Sequence, residues 1–229
     1  MNKKVFLFTL LGLAVGFFGG FFLANSLNRS MMNQQPATAS LNNQQMNLHA
    51  APDQTAGGGA IPMVTEAIER AKNEPENFEA QYNAADMYYR IDRFEEAAKF
   101  YEAAHKILPD HYLTIVRLGN SNYGMKRYEE AEKWYAKALE LKPDDVDVRT
   151  DYGSTFFLRQ PRNIDRAVQE YKASLEINPK HEPTLQNLCA AYLEKGDKQS
   201  LSDALARLEK VNPQNPTISK FKEELGLQK

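Results

Sequence analysis

The sequence predicts an all-α protein, in which an α-solenoid of stacked helix pairs follows one N-terminal transmembrane helix. Three observations lead to this fold class: prolines that recur at a nearly constant interval, small and aromatic residues that repeat in phase with them, and a long apolar run at the N-terminus. The chain has 229 residues and a formal net charge of −2. Binding to nucleic acid requires a clustered basic excess, so we expect no nucleic-acid partner.

The prolines mark the boundaries of the repeat. A proline is excluded from a helix interior, and the residue before it avoids the helical conformation, so each proline separates two helices. A constant period of this length is typical of a stacked repeat array. The separations are 34, 34, 36 and 34 residues, between Pro75, Pro109, Pro143, Pro179 and Pro213.

Small and aromatic residues repeat with the same period. Spacings of four and three residues place them on one helical face, where small side chains let two helices approach and large ones fill the space between. The columns are Ala97, Ala131 and Ala167; Tyr101, Tyr135 and Tyr171; Ala104, Ala138 and Ser174; and, one helix earlier, Ala85, Gly119, Gly153 and Cys189. We therefore predict helix pairs at 78–91 with 94–107, 112–125 with 128–141, 146–159 with 164–177, and 182–195 with 199–211.

Three local features depart from a uniform array. The extra residues of the third unit fall at 159–163, in the turn between its helices, and should move no core residue. The fourth unit carries leucine at 201, 205 and 208, which predicts looser or altered packing. Asp92 and Glu95 are spaced as a capping box for the helix that follows.

The residues Leu118, Gly119, Tyr123, Ala131, Tyr135, Ala138 and Pro143 resemble the tetratricopeptide repeat, a 34-residue helix-turn-helix unit. The resemblance extends over residues 61–229. It implies a half repeat at 61–73, repeats at about 78–111, 112–145, 146–181 and 182–213, and a capping helix at 215–225.

The same resemblance implies a site for protein binding. In this family the first helix of each pair lines a concave groove that takes up an extended peptide or a helix. Mapping that face onto this chain selects Tyr82, Asp86, Tyr89, Arg90, Val116, Asn120, Tyr123, Thr150, Ser154, Phe157 and Gln186, with Ala190 beside them. We expect about half of the four aromatic rings to serve mainly in packing, and Trp134 to fill space in the core or between repeats.

The groove positions also indicate what kind of peptide would bind. Some family members hold a chaperone's terminal carboxylate with lysines, asparagines and an arginine. Asn120 matches one of those places, but Tyr82, Thr150 and Ser154 stand where the cations should be. An apolar or aromatic-bearing peptide is therefore the expected partner rather than a chaperone tail.

The N-terminal segment predicts a membrane anchor. From Val5 to Ala24 only Thr9 is polar, and a helix of that length spans the hydrocarbon core of about 30 Å. The run is longer than the apolar part of a signal peptide, so we predict an uncleaved anchor at 1–27. Lys3 and Lys4 outweigh Arg29, which favours a cytoplasmic N-terminus and an extracytoplasmic repeat domain, periplasmic if the cell is bacterial.

Between the predicted anchor and the repeats, residues 28–60 are rich in Asn, Gln, Ala, Met and Gly and lack helical or strand periodicity, which predicts a disordered linker. Within the predicted span, Gly12, Gly16 and Gly20 lie on one face, a pattern that allows two membrane helices to pack into a homodimer.

The sequence supplies no arrangement for catalysis. His105, His111 and His181 lie in different units, and Cys189 belongs to a packing column. We expect no catalytic residue, no metal site and no cofactor. Three hypotheses remain: an extracytoplasmic adaptor for assembly of a membrane or envelope complex, similar to the anchored repeat proteins of cytochrome c maturation; a cytoplasm-facing receptor; and a structural oligomer formed through the glycine face.

Overall fold

A computed structural model describes residues 60–227, and this part of the chain consists of helices joined by short turns, without strands. Its ten helices are α1 (Ala60–Asn73), α2 (Phe78–Arg90), α3 (Phe94–Ile107), α4 (Tyr112–Gly124), α5 (Tyr128–Leu141), α6 (Val146–Leu158), α7 (Ile164–Ile177), α8 (Glu182–Lys195), α9 (Lys198–Val211) and α10 (Ile218–Glu224). Each helix packs on the next along the chain. The predicted all-α solenoid is confirmed, and the four helix pairs lie within about a residue of their predicted bounds.

The column of small residues is where the two helices of a pair come closest. A Cβ atom added to Gly119 would lie 2.6 Å from Cε1 of Tyr135, and one added to Gly153 would lie 2.8 Å from Cε1 of Tyr171. Such distances are well inside van der Waals contact, so no larger side chain fits without displacing the ring. The sequence-predicted pairing of a small residue with a tyrosine is therefore present in the second and third repeats.

Each buried tyrosine of the column reaches back to the first helix of its own repeat. The Tyr101 hydroxyl donates to Asp86 Oδ1 at 3.2 Å, and the Tyr135 hydroxyl donates to Asn120 Oδ1 at 2.8 Å. In the third repeat the Tyr171 hydroxyl pairs with Ser154 Oγ at 3.1 Å. A buried hydroxyl needs such a partner, so one predicted groove residue in each of these repeats also stabilises the fold.

In the fourth repeat a leucine fills the position of the buried tyrosine, so no hydroxyl has to be hydrogen-bonded there. Leu205 replaces the tyrosine, and Ala190 stands where the other repeats have its hydrogen-bonding partner. Leu201, Leu205 and Leu208 are buried together with Ile218 and Phe221 of α10. Packing in this repeat is therefore altered, as expected, but its leucines are as well buried as the tyrosines of the other repeats.

The turns account for one confirmed and one wrong prediction. The longer third turn lies between Leu158 and Ile164 and leaves Tyr171 in its column. The predicted capping box is wrong, because α3 begins at Phe94 after an N-cap, Arg93, that makes no side-chain capping bond. Asp92 instead adopts a left-handed conformation with φ of 58° inside the turn.

The predicted anchor, with Gly12, Gly16 and Gly20, lies outside the described residues, as does the predicted linker except for Ala60, which begins α1. Within residues 60–227 none of the helices has the length and hydrophobicity needed to cross a bilayer. The division of the chain into anchor, linker and repeat domain stays a prediction.

Candidate partner-binding groove

The predicted groove residues lie on the first helices α2, α4, α6 and α8, whose predicted groove face we call the inner wall. Their exposure differs strongly. Arg90 is exposed, and Tyr82, Asp86 and Tyr123 are half-buried, whereas the others are buried: Tyr89, Val116, Asn120, Thr150, Ser154, Phe157 and Gln186. Two of the four rings, Tyr89 and Phe157, are thus core residues, in line with the expected half. Trp134 packs between the clusters of the first and second repeats.

The inner wall of the first repeat is rich in aromatic rings. The centroid of the Tyr82 ring lies 5.5 Å from that of Tyr101 and 5.8 Å from those of Phe78 and His111. These are favourable ring-to-ring distances, so the half-exposed Tyr82 is held in place by its neighbours. Burial raises the pKa of Tyr82, which therefore stays neutral at physiological pH.

Arg117 is a residue of this wall that sequence mapping missed. Its Nε lies 3.8 Å from Asp86 Oδ1, and its Cζ lies 5.0 Å from the centre of the Tyr89 ring. Its side chain is 25% exposed. The sequence did contain a signal for this residue. Arg117 follows the predicted groove residue Val116 in α4, a helix with few charged residues.

Leu113 was also missed. It is an exposed aliphatic residue in the first turn of α4, with 54% of its surface accessible. Residues four apart share one helical face, which places Leu113 one turn before Arg117. We call the partly or fully exposed residues of this wall in the first two repeats the open strip; it consists of Tyr82, Asp86, Arg90, Leu113, Arg117 and Tyr123.

In the third repeat the corresponding wall is closed by hydrogen bonds among hydroxyl groups. Thr150 Oγ1 lies 3.0 Å from Ser174 Oγ and 2.6 Å from Thr184 Oγ1, and it donates to the carbonyl of Val146 at 2.7 Å. We call Thr150, Ser174 and Thr184 the hydroxyl cluster. It joins α6, α7 and α8 in the interior, and all three residues are buried.

The remaining predicted groove residues of the C-terminal half are also engaged internally. Ser154 Oγ accepts a hydrogen bond from Asn187 Nδ2 at 3.2 Å, in addition to its contact with Tyr171. Gln186 Oε1 accepts one from Asn215 Nδ2 at 3.1 Å. These contacts would have to break before another molecule could reach the side chains of Ser154 and Gln186.

The one cysteine of the chain lies in the core. Cys189 is buried, and burial raises the pKa of its thiol to about 12, so it holds its proton at neutral pH. Between Ala60 and Leu227 no group of three His, Cys, Asp or Glu side chains is placed to hold a metal ion.

Comparison with known proteins agrees with this architecture. The sequence profiles of the tetratricopeptide repeat match residues 58–112 and 114–145. Residues 58–145 thus carry repeats of the tetratricopeptide repeat family. The domain is thus a scaffold for protein–protein interaction, the general role of that family. No curated protein sequence matches the chain.

Solved structures of other tetratricopeptide repeat proteins share the fold. A MamA fragment from Desulfovibrio magneticus RS-1 is 15% identical, with a TM-score of 0.63 over 68% of this chain and 87% of that one. YrrB, described as having an unusual peptide-binding site, is 18% identical, with a TM-score of 0.63 over 72% of this chain and 84% of that one. Another MamA structure is 18% identical, with a TM-score of 0.58 over 69% and 89% of the two chains. At these identities the likeness concerns the fold alone.

Proposed function

We propose that this chain is a membrane-tethered adaptor, which captures an extended segment or a helix of a partner protein on the open strip, outside the cytoplasm, for the assembly of a membrane or envelope complex. The observation that carries the proposal is the contrast along the inner wall. Its first two repeats leave aromatic, aliphatic and charged side chains partly or fully exposed, whereas Thr150, Ser154, Phe157 and Gln186 of the third and fourth repeats are buried.

The chemistry of the open strip suits a peptide ligand. Tyr82 and Tyr123 offer ring surface at low entropic cost, and rings of this kind dominate the energetics of many interfaces. Leu113 adds an aliphatic side chain that is more exposed than either tyrosine. A partner's apolar residue placed against Leu113 would remove surface from water on both molecules.

The membrane part of the proposal rests on the sequence. The apolar run from Val5 to Ala24 supplies the anchor, and Lys3 and Lys4 supply the orientation. A flexible linker over residues 28–60 would give the repeats a reach of about 30 Å from the bilayer. A topology reporter fused after Lys229 should be active outside the cytoplasm, and activity inside would favour the cytoplasm-facing receptor.

Site-specific cross-linking in native membranes tests the binding surface. A photo-reactive phenylalanine analogue replaces Leu113 in the full chain, and the matched control carries it at Ile177, which is also an exposed aliphatic residue but ends the second helix of the third repeat. These side chains are 54% and 42% exposed. We expect a discrete cross-linked partner from position 113 only.

The contrast between the two positions decides the outcome. Equal yields at 113 and 177, or capture at 177 alone, would contradict a binding surface on the open strip. Adding Tyr123→Asp to the position-113 chain should lower the yield while leaving the helical circular dichroism unchanged, since Tyr123 is only half-buried.

A further inference from the structure

We infer that Arg117 is a specificity-determining residue, which binds the carboxylate of an aspartate or glutamate side chain in the partner segment, next to an apolar residue that packs on Leu113. This inference rests on the proposed function and adds the chemistry of the partner to it.

The guanidinium of Arg117 is not fully used by the protein. It carries five N–H donors in a planar fork. Its nearest acid is Asp86, but the Nε to Oδ1 distance of 3.8 Å exceeds that of a hydrogen bond. Asp86 Oδ1 already accepts the Tyr101 hydroxyl at 3.2 Å. Asp86 therefore orients Arg117 electrostatically and leaves donors for a ligand.

The side chain is held ready for binding. Its Cζ lies 5.0 Å from the centre of the buried Tyr89 ring, a cation–π distance. The nearby Tyr82 hydroxyl is close enough for Arg117 to lower its pKa against the effect of burial. A fork fixed in this way loses little entropy when it binds a carboxylate, and partial burial strengthens the charge-assisted bonds.

Within the open strip the charges favour an acidic rather than a basic partner. The strip contains two cations, Arg90 and Arg117, and one anion, Asp86, so its net charge is +1. Leu113 precedes Arg117 by four residues, so the two side chains are neighbours, about 6 Å apart at Cβ. The complementary motif is therefore an acidic residue beside a leucine- or phenylalanine-like one.

Parallel peptide selection tests this inference. Short random peptides are displayed with their C-termini fused to the phage coat, so that no free terminal carboxylate is present. They are selected against three full-length chains in lipid nanodiscs: wild type, Arg117→Gln, and the control Arg207→Gln. Arg207 is an exposed arginine of α9 that donates to the carbonyl of Pro179 at 3.3 Å, away from the open strip.

The expected result is a motif that depends on Arg117 alone. Wild type and Arg207→Gln should enrich Asp or Glu next to an apolar residue, and Arg117→Gln should not. For a selected peptide, replacing its acid by the matching amide should weaken binding to wild type by about tenfold, as measured by fluorescence anisotropy. The same replacement should have almost no effect on binding to Arg117→Gln. Arg117→Lys, which keeps the charge but loses the fork, should show an intermediate preference.

The experiment distinguishes failure of the proposed role of Arg117 from failure of the proposed peptide binding on the open strip. An acid preference that persists in a folded Arg117→Gln chain, or a wild-type motif without acids, overturns the role of Arg117. In the second case, loss of binding on Leu113→Asp would leave the groove function intact. Wild-type selection that yields no binding peptide, or peptides that Leu113→Asp does not affect, contradicts the open strip as a peptide-binding surface and the role of Arg117 with it.

Discussion

The second and third repeats place different side chains at the same positions of the inner wall, and this changes what the positions do. Val116 of the second repeat corresponds to Thr150 of the third, and Tyr123 corresponds to Phe157. Thr150 bonds to two other hydroxyl groups across three helices, and Phe157 is buried. Tyr123 stays half-exposed, and Arg117 and Leu113 lie on the same helix as Tyr123.

This comparison shows that position in the repeat does not by itself determine whether a wall residue is exposed. A threonine or serine on the wall can be used up by hydroxyl partners on neighbouring helices, whereas a tyrosine or arginine of greater length extends past them. Mutations in the two halves should therefore have different consequences: loss of stability in the third repeat, and loss of binding in the first two.

The largest expected effect comes from the matched pair Phe157→Ala and Tyr123→Ala. Phe157 is 3% exposed, so its removal leaves a cavity and should lower the free energy of unfolding by about 3–5 kcal/mol. Tyr123 keeps part of its surface in contact with water and should therefore lose less. Urea unfolding of the full chain in detergent measures both, and a larger loss for Tyr123→Ala would contradict the assignment of open and closed halves.

Thr150→Val tests the hydroxyl cluster itself. Valine has nearly the shape of threonine and already occupies this position in the second repeat, so the change removes hydrogen bonds without creating a cavity. We expect a loss of about 1–2 kcal/mol in unfolding free energy and an unchanged affinity for a selected peptide. Thr150→Ser keeps the hydroxyl and is the control for the hydrogen bonds. If Thr150→Val left the free energy of unfolding unchanged, the hydroxyl cluster would not be what closes the inner wall of the third repeat.

The N-cap of α4, His111, makes the stability of the second repeat depend on pH. His111 Nδ1 accepts the amide N–H of Thr114 at 3.3 Å, which requires the unprotonated nitrogen. Burial lowers the pKa of His111 below its ordinary 6.5, so the unfolded chain binds more protons as the pH falls. Stability is therefore retained above about pH 6.5 and lost as the pH falls toward the folded-state pKa.

His111→Asn should remove part of this pH dependence, because an asparagine amide caps at either pH, as Asn77 does for α2. The measurement is the difference in urea midpoint between about pH 7.5 and about pH 5.5, which should be smaller in the variant than in wild type. His105, whose pKa is lowered by burial and by Lys137, accounts for a residual slope in both chains. If the difference in urea midpoint were the same in wild type and in His111→Asn, the His111 cap would not be a source of the pH dependence.

The smallest expected effect is a stabilisation. Lys126 adopts φ of 61° in the turn of the second repeat, where the fourth repeat has Gly196 with φ of 71°. A left-handed conformation costs a non-glycine residue about 1–2 kcal/mol, and the greater freedom of glycine in the unfolded chain offsets part of the gain. Lys126→Gly should therefore raise the unfolding free energy by about 0.5–1 kcal/mol, and a loss would show that the lysine side chain stabilises the turn.

The sequence was sufficient to predict the helices, because the residues that separate them act locally in the chain. Prolines exclude helix, and the alanine and tyrosine columns recur at a period that only one register satisfies. The capping box failed because Asp92 has the right spacing but sits in a turn that needs a left-handed residue, which spacing cannot reveal.

The inner wall was less predictable because its state depends on contacts between helices. The sequence places Thr150 on the wall, but Ser174 and Thr184, which bury its hydroxyl, are 24 and 34 residues away. Arg117 escaped the mapping because its surroundings are the Tyr89 ring and Asp86 of the preceding repeat, which the position of Arg117 in its own helix does not reveal.

Hydrogen–deuterium exchange of the full chain in nanodiscs, with and without a selected peptide, measures the central claim most directly. Binding on the open strip predicts slower exchange in α2 and α4, where a ligand would damp local opening, and unchanged exchange in α6 and α8. Slower exchange confined to α6 and α8, or to the second helices α3, α5, α7 and α9, would contradict it.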